Sequence, residues 1–304
     1  MKILVLRGGA LGDLILILPL LREIRNNYPE AAIELSGIFP QARLAMPEFV
    51  DRVERLDACE LSPLFVAAQM PRIVQARLKA FDLAISLLSD PDKAIARNLA
   101  VAGVKRVISR TCQFRPGVHA VWQLAEVLGE LGLTLRDPVP RLSVGANVEV
   151  SSRLGFHLGS GSARKNWPIN CWIELTGRLD DFFDDFLLIG GEADYELVRK
   201  FCARSRVRSL RTLLDAHLSR LAEALSGCRL FIGHDTGVTH LAAAVGTPTV
   251  ALFGATDPDV WAPLGDHVRV VRSPDGLMES IGVTDVVTEV CGYAAQRWGV
   301  SKVA

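Results

Sequence analysis

One stretch in the last third of the chain limits the fold more than any other. It reads Arg229-Leu-Phe-Ile-Gly-His-Asp-Thr-Gly-Val-Thr-His-Leu-Ala-Ala-Ala-Val-Gly-Thr-Pro-Thr-Val-Ala-Leu-Phe-Gly254. Leu230 to Gly233 is an apolar run of strand length, Val238 to Val245 has helix length, and Thr249 to Phe253 is a second apolar strand. His234 to Gly237 turn the chain, and Gly246 to Pro248 stop the helix. Strand, crossover helix and strand imply a parallel sheet, because parallel neighbours cannot be joined by a tight hairpin. The polar residues fall where the first strand hands over to the helix, the edge at which open α/β sheets bind ligands.

The turn has specific chemistry. Asp235 or Thr236 can cap the helix, and Gly237 lets a ligand approach the backbone. The first N–H groups of a helix lack internal partners and carry the positive end of its dipole, which suits a phosphate. His240 follows Thr236 by four residues, on the same helix face, and can donate to the same anion. A plain helix cap with a satisfied histidine uses the same residues, so both readings stand here.

The rest of the chain repeats the pattern. Strands are predicted at 2–7, 32–36, 53–56, 82–88, 105–109, 154–158, 186–189, 207–210 and 268–271. Helices are predicted up to about Asn27, over 64–80 with a break at Pro71, and over 93–101, 119–133, 194–202, 218–225 and 283–298, with one more starting at Pro168. Strands alternating with helices make an α/β protein with doubly wound parallel sheets. Thr134 to Val150, with Pro138, Pro140 and Gly145, reads as a linker between domains 1–148 and 149–304.

Two other turns carry candidate chemistry. Gly8-Gly-Ala-Leu-Gly-Asp13 follows the first strand, but its glycines do not fit G-x-G-x-x-G or a phosphate loop with G-K-[ST]. Neither a nicotinamide dinucleotide nor nucleotide hydrolysis is supported. Asp13 lies in the first turn of a helix at a strand's carboxyl end, placed either as a cap or as a general base, with Gly9 and Gly12 admitting a substrate. Gly159 to Pro168 offers amides, the hydroxyls of Ser160 and Ser162, and Lys165, with Arg164 as the adjacent alternative cation. That set suits a diphosphate; a surface loop before a helix has the same composition. Arg110, Cys112, Phe114, Arg115 and His119 form a polar loop suited to an anionic acceptor or simply to solvent.

Bulk properties exclude more than they select. Lys plus Arg number 34, and so do Asp plus Glu, so no net field draws nucleic acid or an anionic membrane. The six cysteines show no paired metal spacing and read as reduced thiols of a cytoplasmic protein. Leu14 to Leu21 is too short to span a bilayer, which leaves at most peripheral membrane contact.

Three motifs together resemble glycosyltransferase family 9, the bacterial ADP-heptose:lipopolysaccharide heptosyltransferases: Arg7 to Leu21, Gly159 to Trp172 with its Lys-Asn-Trp-Pro core, and Asp235 to Gly254 continued by Thr256-Asp-Pro258. The resemblance implies a GT-B fold, two Rossmann-like domains facing a central cleft, with the acceptor on the first and the nucleotide sugar on the second. It implies inverting, metal-independent transfer of a heptose from ADP-heptose to a glycolipid or glycan acceptor, with no cofactor. By resemblance Asp13 is the base. Lys165, Thr236 and Gly237 hold the donor phosphates, Asp235 and His240 match donor-site positions, and Asp194, with Glu192 as alternate, takes the ribose. The resemblance also leaves room for the C-terminal helix at about 283–298 to pack back on the first domain. A nucleotide-sugar epimerase of the same architecture, a heptosyltransferase with another acceptor and a non-catalytic binding module are the alternatives. The chain is shorter than many members and lacks a cysteine-bearing insertion that some carry before the last helix.

Overall fold

Apolar strands alternating with amphipathic helices build two parallel sheets, one in each of the units Met1–Leu142 and Ser143–Ala304. The computed structural model describes residues 1–66, 70–110, 113–145 and 148–298, so Cys112 lies outside the described residues.

The first unit contains β1 (Lys2–Arg7), α1 (Leu11–Ile15), α2 (Leu18–Asn27), β2 (Ala32–Gly37), β3 (Arg52–Arg55), α3 (Arg72–Leu78), β4 (Leu83–Ser86), α4 (Ala94–Val101), β5 (Arg106–Ser109) and α5 (Ala120–Ala125). Its strands run parallel in the order β3-β2-β1-β4-β5. Every residue of β1 after Lys2 is buried, as expected of a strand covered on both faces.

Several predicted helices are shorter here. The helix expected up to Asn27 is broken at Leu16 and Ile17. Pro19 has no N–H, and its ring would strike the carbonyl of Ile15 in a continuous helix, so it sits in the first turn of α2 instead. Pro71 confines α3 to Arg72–Leu78, and the helix expected over 119–133 is α5 followed by a 3-10 turn, Glu126–Leu131. The first half of the expected linker is tethered rather than free. Arg22 donates to the carbonyls of Asp137 (2.7 Å) and Val139 (3.3 Å), and Arg136 N donates to Glu23 Oε1 at 3.2 Å.

The second unit contains β6 (Ser151–His157), α6 (Ile169–Leu179), β7 (Asp185–Gly190), α7 (Tyr195–Arg204), β8 (Leu210–Leu214), α8 (Leu218–Ser226), β9 (Cys228–His234), α9 (Gly237–Ala244), β10 (Thr249–Phe253), α10 (Pro258–Trp261), β11 (Val268–Arg272) and α11 (Val283–Trp298). The order is β11-β10-β9-β6-β7-β8, all parallel. β8 starts later than the apolar run at 207–210 suggests. Arg208 is drawn to the end of α6, where its N and Nε donate to Asp180 at 3.0 Å each.

Phe156, Trp172, Phe186 and Phe201 fill the second core, with Phe156 5.2–6.5 Å from the other three rings. Each such side chain contributes roughly 1.5–3 kcal/mol by leaving water. α11 packs against α6, and its Trp298 meets the Phe183 ring edge-on at 6.4 Å while Arg229 lies 4.2 Å from its face. Among the described residues no helix is long and apolar enough to cross a membrane.

Candidate active site

In each sheet the chain winds outward in both directions from one central strand pair, and a polar turn follows that point. In the second sheet the pair is β6 and β9. The Gly159–Pro168 loop leaves β6 and the Asp235–Gly237 turn leaves β9, so the two loops predicted to bind phosphate flank one switch point.

They are joined by charge. Lys165 Nζ lies 2.7 Å from Asp235 Oδ2, and Thr256 Oγ1 donates to the same oxygen at 2.8 Å. His240 Nε2 stands 3.9 Å from Asp235 Oδ1. Burial opposes the Asp235 charge, but the His240 ring, the Lys165 ammonium and the Thr256 hydroxyl hold its carboxyl down to about 2. His240 is almost wholly buried and turns its ring toward Asp235, while its Nδ1 has no partner among the described residues.

Neither Asp235 nor Thr236 caps α9. Thr236 is the N-cap residue, but its hydroxyl lies against Thr239 Oγ1 at 3.3 Å and makes no cap bond. Thr236, Gly237 and Val238 remain half-exposed at the open start of the helix. Lys165, 30% exposed, is near enough to share its two spare protons with an arriving anion. An ammonium and an uncapped helix start therefore converge on one place.

His234 closes the loop from below. Its Nε2 accepts from Trp167 N at 2.9 Å, so the proton sits on Nδ1, which donates to Gly159 O at 3.2 Å. Burial pushes this ring down to about 3, in agreement with its acceptor role. Within the loop, Ser160 Oγ lies 2.6 Å from both Ser162 O and Asn166 Oδ1 and accepts from Ser162 N, so its hydroxyl ties the loop to itself.

Asp194 is used inside the fold. It is 7% exposed, His157 Nε2 lies 3.0 Å from its Oδ2, and Gly191 N donates to that oxygen at 2.9 Å. Its Oδ1 is so close to Gly159 that a Cβ there would stand 1.6 Å away, which explains the glycine. Glu192, two residues earlier, stays exposed.

In the first sheet β1 and β4 form the switch point. Asp13 lies in the first turn of α1, and Ala10 N donates to its Oδ2 at 2.8 Å. Buried Arg7 donates to Asp13 Oδ1 at 2.7 Å and reaches Leu87 O at the end of β4 at 3.1 Å. Gly9 adopts φ +95°, and a Cβ there would meet Asp13 Oδ2 at 2.4 Å, so only glycine lets the carboxylate fold back. Asp13 keeps 35% of its side chain exposed. Gly12 lies within α1.

Arg115 lies after β5. Glu126 pairs with both Arg115 and Arg110, the latter at 2.7 Å, beside a cavity of about 100 Å³ also lined by Phe114 and Gln123. Sequence reasoning missed Arg7, Glu126, His157 and His234 as organisers of these sites. Arg7, His157 and His234 each carried a signal, as polar residues closing apolar strands; Glu126 carried none.

A family model described as Glycosyltransferase family 9 (heptosyltransferase) matches residues 117–290, more than half of the chain. Lipopolysaccharide heptosyltransferase 2 of Escherichia coli is 26% identical over 315 residues, covering 90% of this chain and 88% of that protein. Among solved structures, a glycosyl transferase family 9 protein from Veillonella parvula superposes with a TM-score of 0.80 at 19% identity, covering 97% of both chains. The Escherichia coli heptosyltransferase WaaC with ADP gives 0.74 at 20% identity, over 97% of this chain and all of the other. These two likenesses show the fold class, GT-B with two Rossmann-like units.

Proposed function

The chain belongs to glycosyltransferase family 9 and is a glycosyltransferase, and from that membership we propose that it transfers a heptose from ADP-heptose to a lipopolysaccharide-core acceptor with inversion and without a metal. The observation that carries the reading is the pairing of the Lys165 ammonium with the open start of α9 through Asp235. The acceptor hydroxyl attacks the anomeric carbon, the bond from that carbon to the diphosphate oxygen breaks, and ADP departs. Asp13 takes the hydroxyl proton, with Arg7 and the Ala10 amide holding its carboxylate in place. Lys165 and the amides of Thr236 and Gly237 meet the charge that grows on the diphosphate. Asp235 and His240 set the Lys165 position, and Ser160 shapes the loop. Glu192, not the enclosed Asp194, is assigned to the ribose. Arg115 contacts the acceptor. The donor is cytoplasmic chemistry and the acceptor a glycolipid, so the reading puts the protein at the inner face of the cytoplasmic membrane.

The test incubates the protein with ADP-heptose and a heptose-free lipopolysaccharide core, with and without EDTA. Expected is an EDTA-resistant product one heptose heavier, with its anomeric configuration inverted by NMR. Retained configuration, loss of activity in EDTA, or a new sugar nucleotide formed without acceptor would overturn it.

A further inference from the structure

We propose that His234 is the positioning residue of the donor site: one imidazole clasps the Gly159–Trp167 loop at both ends and so holds Lys165 where a nucleoside diphosphate leaving group is met. The proposal rests on the donor reading given above. The loop has no strand or helix pairing to fix it beyond one short 3-10 turn, Ala163–Lys165. Its first carbonyl, Gly159 O, and its last amide, Trp167 N, both go to this ring. The next residue, Asp235, takes the loop's cation. Two consecutive residues at the end of β9 thus set both the ends and the charge of a loop 67–75 residues earlier.

The clasp needs a group that accepts at one edge and donates at the other, within a space 0% exposed to solvent. Neutral imidazole does this; imidazolium cannot accept. Trp172 stands edge-on to the ring at 5.4 Å and fixes its plane. The charged and titratable neighbours are His157 at the end of β6, Asp194 after β7, and Asp235. None of them displaces the two backbone partners.

The test compares His234→Phe, which keeps the ring volume and loses both bonds, with His234→Gln, which keeps a donor and an acceptor. Expected for His234→Phe is a rise of about tenfold or more in the ADP Kd and donor KM, with acceptor KM unmoved and kcat changed less. His234→Gln recovers part of that loss. Amide exchange of residues 159–167, measured without nucleotide, rises in His234→Phe. Unchanged exchange, or ADP binding within twofold of the natural protein, overturns the clasp. Failure of the natural protein to bind ADP overturns the donor reading while the exchange result still decides the clasp. Should His234→Phe not fold, ¹⁵N NMR of the natural protein reads the ring directly: a neutral ring protonated on Nδ1 is expected, and protonation on Nε2 rejects the proposal.

Discussion

The two units are built alike and charged differently at the same point. Each has a parallel sheet, a switch point and a polar turn beyond it. In the first, the turn presents a carboxylate held by partners three and six residues away, Ala10 and Arg7. In the second, it presents an ammonium held by a carboxylate 70 residues away. A local turn is enough to aim the carboxylate, whereas the ammonium is placed by segments that leave two different strands. One architecture thus carries a carboxylate at one switch point and an ammonium at the other by exchanging the turn at the strand's carboxyl end.

The strongest way to break that contrast is Asp13→Asn. Transfer should fall about a thousandfold while ADP affinity by calorimetry stays within twofold; near-normal turnover would remove the acid from the first unit. Next is Gly159→Ala, whose Cβ meets Asp194 at 1.6 Å. It should destabilise the second unit by about 2–3 kcal/mol in denaturant unfolding, and an unchanged midpoint would show that the Asp194 contact yields freely.

Acid sharpens the comparison from the other side. His234 titrates below its usual range in the folded protein, so the unfolded chain takes the proton first. Stability is full above about pH 6.5 and drains as pH falls toward 3, by roughly 2 kcal/mol between 6.5 and 5. Asp235 adds its own loss only below about pH 4, since its carboxyl is ionised down to about 2. A thermal melt flat between pH 6.5 and 5 would contradict the buried neutral ring. Lys165→Ala should weaken ADP binding about tenfold, and equal affinity would leave α9 alone as the anion holder. Arg115→Ala should have the smallest effect, a two- to fivefold rise in acceptor KM at unchanged stability, because its pairing with Glu126 is exposed.

Much of this was legible in the chain because it is local. Buried parallel strands announce themselves as apolar runs, and a glycine turn ending in Asp13 is contained in six residues. The Rossmann-like alternation follows from those same periods. Pro19 and Pro71 both stand out as breakers, yet apolar residues on both sides of Pro19 let one helix be expected through it where the chain makes two. The pairing of Lys165 with Asp235 could not be read, since nothing in either segment names its partner across 70 residues. The burial of Asp194, beside the exposed Glu192, could not be read for a related reason. Burial is a property of the packed loop, and only the approach to Gly159 reveals that the aspartate faces inward.

The joining of residues 159–167 to β9 through His234, Asp235 and Trp167 has a practical side. Grafting sugar preference from a relative by exchanging that loop alone would bring a foreign segment to an anchor shaped for the original. Segments 159–167 and 234–240, with Thr256, form one transplantable cassette, and chimaeras should be cut so that all three travel together.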